Sequence, residues 1–287
     1  MTSEIDAVNE SGDLQKVSIP AERALTVYVD KRELVTLMTL GANPELLVLG
    51  YLRNQRLVRD VADIESITVD WDVGAAAVKT VRGIEDIEEK TAHRVVTTGC
   101  GQGSVFGGLM DEVDQIALPP SACITQGQLY GLVNTIRLKE TTYKSAGSVH
   151  ACALFSTVSG ESELLLFVED VGRHNAIDTI AGWMWMNAPT LVASDAAASP
   201  DSTASGLVFY TTGRLTSEMV IKSAQMGVPV VVSRSGITQM GHQVAQSVGL
   251  CAIGRATNKR FLCYTHAGRL RLEPGLLAAH TASAGAG

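Results

Sequence analysis

No stretch of this chain approaches the roughly 18 consecutive apolar residues a helix needs to span a bilayer, so a helical membrane protein is not expected. The N-terminus, MTSEIDAVNESGDLQKVS, is acidic and polar and lacks the apolar core of a secretory signal. The expected location is therefore cytoplasmic, with no membrane partner. Basic residues are in deficit: 23 Lys and Arg against 30 Asp and Glu leave a net charge of −7. A duplex nucleic acid is excluded as a partner unless basic residues cluster locally. The five cysteines, Cys100, Cys123, Cys152, Cys251 and Cys263, lack metal-ligand spacing, so no intrinsic metal is expected. A CxxC redox pair is also missing, because the position three beyond Cys100 is Gly103. No repeat of solenoid period occurs.

What is present is an apolar content of 46% over 287 residues, ample for a buried core and for two domains of unequal size. In a reducing cytosol the cysteines are free thiols. Cys152, Cys251 and Cys263 lie in the apolar, strand-like text VHACALF, LCAIG and RFLCYTH and read as small core residues. Cys123 opens a helix-like segment and reads as inert.

Residues 1–19 and 275–287 are small and polar and read as disordered tails. Between them, ALTVYVD and ELVTLMT flank Asp30-Lys31-Arg32 as a β-hairpin. NPELLVLGYLRNQ reads as a helix with Asn43 as cap and Pro44 at its first position. ESITVDWDV and AAVKTVRG add strands, making residues 20–112 a compact α+β domain. Leu129, Leu132, Val133 and Ile136 then recur at helical spacing after Thr125. Beyond Ser148, apolar runs alternate with amphipathic segments: VHACALFS and ELLLFVED lead to HNAIDTIAGWMWM, GLVFYTT to SEMVIKSAQMG, and VPVVVSR to ITQMGHQVAQSVG. That alternation predicts a mostly parallel sheet covered on both faces, over residues 113–274. SDAAASPDSTAS, residues 194–205, reads as a surface loop.

The junctions of this second half share a composition. DVGRHNAID, TTGRLTSEM, VVSRSGITQ and IGRATNKRF place Arg173, Arg214, Arg234 and Arg255 beside Gly or Ser. In an open α/β sheet, ligands bind beyond the carboxyl ends of the strands, where helix N-termini offer free N–H groups and guanidinium groups add bidentate phosphate contacts. A polyanionic, nucleotide-containing ligand is the expectation if the four converge on one rim. His174 reads either as a helix residue without a role or as a proton donor at that rim.

Cys100 stands apart in TTGCGQGSVFGG, amid Gly99, Gly101, Gly103, Gly107 and Gly108. RVVTT before it is strand-like, and SVFGGLMDEV after it has the look of a helix start. Amides at a strand-to-helix turn favour the thiolate, and the glycines leave the sulfur open to a bulky reagent. A Cys–His hydrolase would need His150 or His174 as its base. A thiol acting alone as sulfur acceptor and donor, a persulfide carrier, fits the surroundings best.

With these residues assembled, the chain resembles the FdhD/NarQ family, the formate dehydrogenase accessory sulfurtransferases. The resemblance runs from about Arg23 to Arg271 and is carried by TTGCGQGSVFG, GSVHACALF, VEDVGRHNAIDTIAGW, TTGRLTSEMVIKSA, GVPVVVSRSGIT and GLCAIGRATNKRFLCYTH. It implies an α/β architecture in which a cytidine deaminase-like three-layer domain, a mixed sheet covered by helices, joins a smaller N-terminal α+β domain. It implies a homodimer that accepts persulfide sulfur from an L-cysteine desulfurase. The sulfur then passes to the molybdenum bis(molybdopterin guanine dinucleotide) cofactor, a bound substrate destined for formate dehydrogenase. Carried onto this sequence, the persulfide residue is Cys100. The cofactor-binding loop falls on Arg255, Ala256, Thr257, Asn258, Lys259 and Arg260, where GDP-like nucleotides can also sit. The rival reading is a chaperone that binds and protects the cofactor without sulfur chemistry.

Two departures from the family pattern stand out. Many relatives carry a second loop cysteine where this chain has Gly103, and Arg255 occupies a position that is usually aromatic. Deamination, which the fold resemblance raises, lacks its machinery: His150-Ala151-Cys152 has no Glu in the H-x-E position, and no P-C-x-x-C occurs.

Overall fold

A computed structural model of the chain describes residues 2–85, 87, 95–96, 103–104, 116, 118–139, 142, 146–188 and 206–276. The chain forms two compact units, Met1–Asp111 with Glu140–Cys152 and Val168–Asn187, and Glu112–Lys139 with Ala153–Phe167 and Ala188–Gly287. The first unit thus takes segments from inside the stretch that the sequence alone assigns whole to the second domain. No helix among the described residues is long and apolar enough to cross a membrane.

The chain begins with a hairpin where the composition predicts a disordered tail. Strands β1 (Thr2–Val8) and β2 (Leu14–Pro20) pair antiparallel in full register. Asn9 closes the turn: its Oδ1 accepts from the amides of Ser11 at 3.0 Å and Asp13 at 2.9 Å. A turn built on one Asn side chain leaves no trace in hydropathy, which is why the tail reads as unstructured. The C-terminal tail lies outside the described residues from position 277 onward, as does the whole 194–205 loop.

The remaining strands of the first unit are β3 (Arg23–Val29), β4 (Arg32–Thr39), β5 (Ile64–Asp70) and β6 (Ala75–Thr80), in the order β4-β3-β6-β5. The β3–β4 hairpin turns on Asp30 and Lys31, both at positive φ, as a two-residue turn that follows strand twist requires. Asp30 is held there by Thr80, whose amide and hydroxyl donate to its carboxylate at 3.0 and 2.6 Å. Helix α1 (Pro44–Asn54) lays Leu47, Val48, Tyr51 and Leu52 on the sheet core of Leu25, Val27, Leu37 and Val78. Pro44 stands at the first helical position as expected, but the Asn43 side chain makes no capping bond.

The second unit is organised by a six-stranded sheet of order β8-β7-β9-β10-β11-β12. Its strands are β7 (His150–Ser156), β8 (Glu163–Asp170), β9 (Leu207–Thr211), β10 (Val230–Ser233), β11 (Cys251–Thr257) and β12 (Arg260–Cys263). Strands β7 and β8 each contribute residues to both units. Strands β9, β10 and β11 are parallel, and β12 returns antiparallel to β11 at the edge. Helix α2 (Gln126–Leu138) begins in a capping box between Thr125 and Gln128 and packs Leu129, Leu132 and Val133 against one face of the sheet. Alternate residues of β9 and β10 on the opposite face are also buried. Burial on both faces explains why these strands read as continuous apolar runs rather than alternating ones.

Helix α3 (Arg173–Met186) belongs to the first unit and crosses α1 at glycine. A Cβ built on Gly50 would lie 1.7 Å from the Asp178 carbonyl oxygen, and one on Gly182 would lie 2.1 Å from that of Leu46. Only two glycines allow the backbones this close. That crossing draws residues 168–187 into the first unit. Helices α4 (Ser217–Gln225) and α5 (Gln239–Ser247) complete the second.

Candidate functional site

The carboxyl ends of β9, β10 and β11 are locked side by side. The Arg234 amide donates to the Thr211 carbonyl at 3.0 Å, the Arg255 amide to that of Ser235 at 2.7 Å, and the Ser233 hydroxyl to that of Gly213 at 2.7 Å. Arg214, Arg234 and Arg255 therefore share one rim, and all three are exposed. Arg173 opens α3 in the other unit.

The β11–β12 hairpin projects from this rim. Its ladder slips between Gly254 and Thr257, and within the slip Arg255 adopts φ +51°. A left-handed arginine inside a bulge is uncommon, and bulges of this kind re-aim side chains beside binding sites. Gly254 makes the bulge possible: a Cβ there would meet the Tyr264 ring at 2.6 Å and the Ser235 carbonyl oxygen at 2.9 Å. Asn258, also left-handed, turns the chain back toward Arg260.

Arg255, Thr257, Lys259 and Arg260 line an open groove of about 680 Å³. Among the described residues none of the three cations is in an ion pair. The other walls come from residues that no sequence pattern singles out: Gln126 and Tyr130 on α2, Phe261 and Leu262 on β12, and Leu272 and Leu276 beyond it. Ala256 instead points into the core, 2% exposed, and contributes only backbone to the loop.

A chain of hydrogen bonds ties the groove's turn to α2. Buried Gln126 donates to the Tyr130 hydroxyl at 2.7 Å and accepts from the Glu273 amide at 3.0 Å. Tyr130 donates in turn to the Lys259 carbonyl at 3.1 Å, and its ring sits 6.2 Å from that of Phe261. The Glu273 carboxylate caps the start of α2 by accepting from the Gly127 amide at 2.6 Å. The groove is thus cationic on one flank and apolar-aromatic on the other. Such a surface suits a ligand with phosphates and a flat ring.

The 170–178 junction is built differently. Asp170 accepts from the Leu40 amide at 3.1 Å, the Gly172 amide at 3.0 Å, the Asn175 side chain at 2.8 Å and the Thr39 hydroxyl. Asn175 also donates to the Met38 carbonyl at 2.6 Å. Burial pushes the Asp170 carboxyl above the usual carboxylate range despite these four donors. His174 is 4% exposed, so it does not stand at an open rim. These polar groups hold β4, β8 and α3 together.

Cys100 lies outside the described residues. Val95–Val96 pairs antiparallel with Gly103–Ser104, and residues 105–113, most of the segment read as a helix start, also lie outside the described residues.

The model of the FdhD/NarQ family matches residues 20–271. The chain belongs to the FdhD/NarQ family. It is 31% identical to the sulfur carrier protein FdhD of Bacillus subtilis strain 168, over 91% of this chain and 94% of that protein. It is 25% identical to the sulfur carrier protein FdhD of Wolinella succinogenes, over 88% of this chain and 82% of that one. A crystal structure of a candidate formate dehydrogenase accessory protein from Desulfotalea psychrophila superposes with a TM-score of 0.69 at 20% identity. That alignment covers 94% of this chain and 98% of the other, which establishes a shared mixed α/β fold. The FdhD/NarQ match spans both the 170–178 junction and the 255–260 groove.

Proposed function

We propose that this chain is a sulfur carrier for the maturation of formate dehydrogenase. Cys100 takes the terminal sulfur of a persulfide on an L-cysteine desulfurase and passes it to the molybdenum bis(molybdopterin guanine dinucleotide) cofactor, which is bound as substrate. In the first transfer the Cys100 thiolate attacks the donor's outer sulfur. A new S–S bond forms at Cys100 while the donor's S–S bond breaks and its thiolate leaves. The glycines around Cys100 leave a persulfide there open to two partners in succession, and a single cysteine suffices although Gly103 replaces a second.

The observation that carries the reading is the groove between α2 and the β11–β12 hairpin. Arg255, Lys259 and Arg260 bring three cations, unpaired among the described residues, to one wall, matched to pyrophosphate, while Tyr130 and Phe261 offer ring faces to a guanine. The names of the relatives agree with it. The reading includes a cytosolic homodimer and a cytidine deaminase-like layering of the second unit.

The decisive experiment uses one substitution. Incubation with a desulfurase and cysteine should add one sulfur to the intact mass of the wild type and none to Cys100→Ala. Cys100→Ala should also leave formate dehydrogenase inactive in cells. A Cys100→Ser protein that still matures the enzyme would instead establish a chaperone that only shelters the cofactor.

A further inference from the structure

The β11–β12 hairpin carries a second feature that sulfur transfer at Cys100 does not use. Cys251 on β11 and Cys263 on β12 face the same side of the ladder as diagonal neighbours, Cys263 standing opposite Ile253. Their sulfurs are 3.8 Å apart. Cys251 is fully buried, whereas Cys263 is partly open to solvent. The sequence reading assigns both to the core as inert packing; Cys251 lies in the core and Cys263 packs against it, and the added finding is that their sulfurs meet.

We propose that Cys251 and Cys263 form an oxidisable pair that closes into an intramolecular disulfide and braces the hairpin bearing the cationic groove. Closure from 3.8 Å to the bonded separation of about 2.05 Å asks for a shift of β12, an edge strand of its sheet, and leaves the other five strands in place. The two thiols are chemically unequal in the order this requires. The hydrogen bond between the two sulfurs draws the Cys263 pKa below its ordinary value. Cys251 itself is pushed up, by that same bond first and by burial second. The accessible sulfur is therefore the nucleophile, and the buried one resolves it.

With a peroxide as oxidant, the Cys263 thiolate attacks one peroxide oxygen. The O–O bond breaks, giving a sulfenic acid and a hydroxide that takes up the proton released by the Cys263 thiol to become water. The Cys251 sulfur then attacks the sulfenic sulfur. The S–O bond breaks, water leaves with the Cys251 proton, and the S–S bond forms. Two thiols lose two electrons, and the peroxide is reduced to two waters. The closure does not depend on the function proposed above.

Tryptic mapping of the full chain after hydrogen peroxide treatment tests this directly. Cleavage at Arg255 and Arg260 places Cys251 and Cys263 on separate peptides, so closure yields one linked species lighter than their sum by two hydrogens. A thiol reductant should restore the separate peptides. Amides of residues 255–263 should also exchange more slowly in the oxidised chain. Cys263→Ser should abolish the linked species, and Cys251→Ala should leave a sulfenic acid at Cys263 that dimedone traps. Recovery of Cys263 as sulfinic or sulfonic acid in wild type, with no link, would overturn the proposal. So would its linkage to a different cysteine.

Discussion

Two stretches of similar composition, VEDVGRHNA in the first unit and CAIGRATNKR in the second, put their polar groups to opposite use. Around Asp170 both carboxylate oxygens are saturated by donors from β4, the α3 start and Asn175, and Asp170, His174 and Asn175 are buried. Around Arg255 the backbone is equally fixed, by the Ser235 carbonyl and the Tyr130–Lys259 bond, yet the cations face solvent with no acidic partner among the described residues. A Gly-Arg junction is therefore not an anion site by composition. What separates the two is whether a second element packs over the junction.

The sharpest way to break the closed junction is at the helix crossing behind it. Gly182→Ala or Gly50→Ala forces a Cβ into a carbonyl oxygen on the facing helix, and α1 and α3 must separate. A loss of about 3 kcal/mol or more is expected, at the upper end for overpacking. All three tryptophans, Trp71, Trp183 and Trp185, lie in this unit, so tryptophan emission during urea unfolding reports it selectively.

Asp170→Asn comes next. It turns one acceptor into a donor that confronts existing donors in a buried site, at a cost of about 2–3 kcal/mol in the same assay. The pH dependence carries a sign. A carboxyl raised in the folded state contributes stability that is complete below the ordinary carboxylate pKa and is lost as pH rises through its raised value. Asp170→Asn should remove that segment of the stability profile. An unchanged profile would place the dependence on another group.

Most of the element order was legible because periodicity and caps coincided. Leu129, Leu132, Val133 and Ile136 announced α2 and Thr125 its start, and the three parallel strands were visible as unbroken apolar runs flanked by helices. Part of the groove's lining, Arg255, Thr257, Lys259 and Arg260, falls in the loop that the family resemblance marks. The rest was not legible. Gln126 and Tyr130 are 125 or more positions away in sequence from the turn they hold, and on a helix an i,i+4 polar pair looks like any solvated face. The Cys251–Cys263 pair escaped for a related reason: hydropathy marks each thiol as apolar, and only strand register brings them together. The closed nature of the 170–178 junction depended on Thr39 and Leu40, which no local pattern connects to Asp170.

The open site is best probed by removing its charge without its backbone. Arg255→Gly relieves the left-handed φ and deletes one guanidinium, so the fold should be unharmed while GDP affinity drops about tenfold, or about 1.4 kcal/mol. Lys259→Ala and Arg260→Ala should each weaken GDP by a similar factor, and all three losses should shrink as salt is raised. Titration calorimetry at two ionic strengths separates this from a structural effect, which salt would leave intact. Equal GDP affinity in the triple variant would exclude the groove as a phosphate site.

Tyr130→Phe should give the smallest change. It keeps the ring beside Phe261 and removes only the hydroxyl that accepts from Gln126 and donates to the Lys259 carbonyl. The expected loss is about 1 kcal/mol of local stability, read as faster amide exchange at residues 257–260. GDP binding should weaken about threefold, because the cations remain but the turn that presents them is less fixed. If exchange quickens while affinity holds, the groove's charge acts without a preset turn. If both hold, the Tyr130 bond is incidental, and the bulge at Arg255 alone shapes the site.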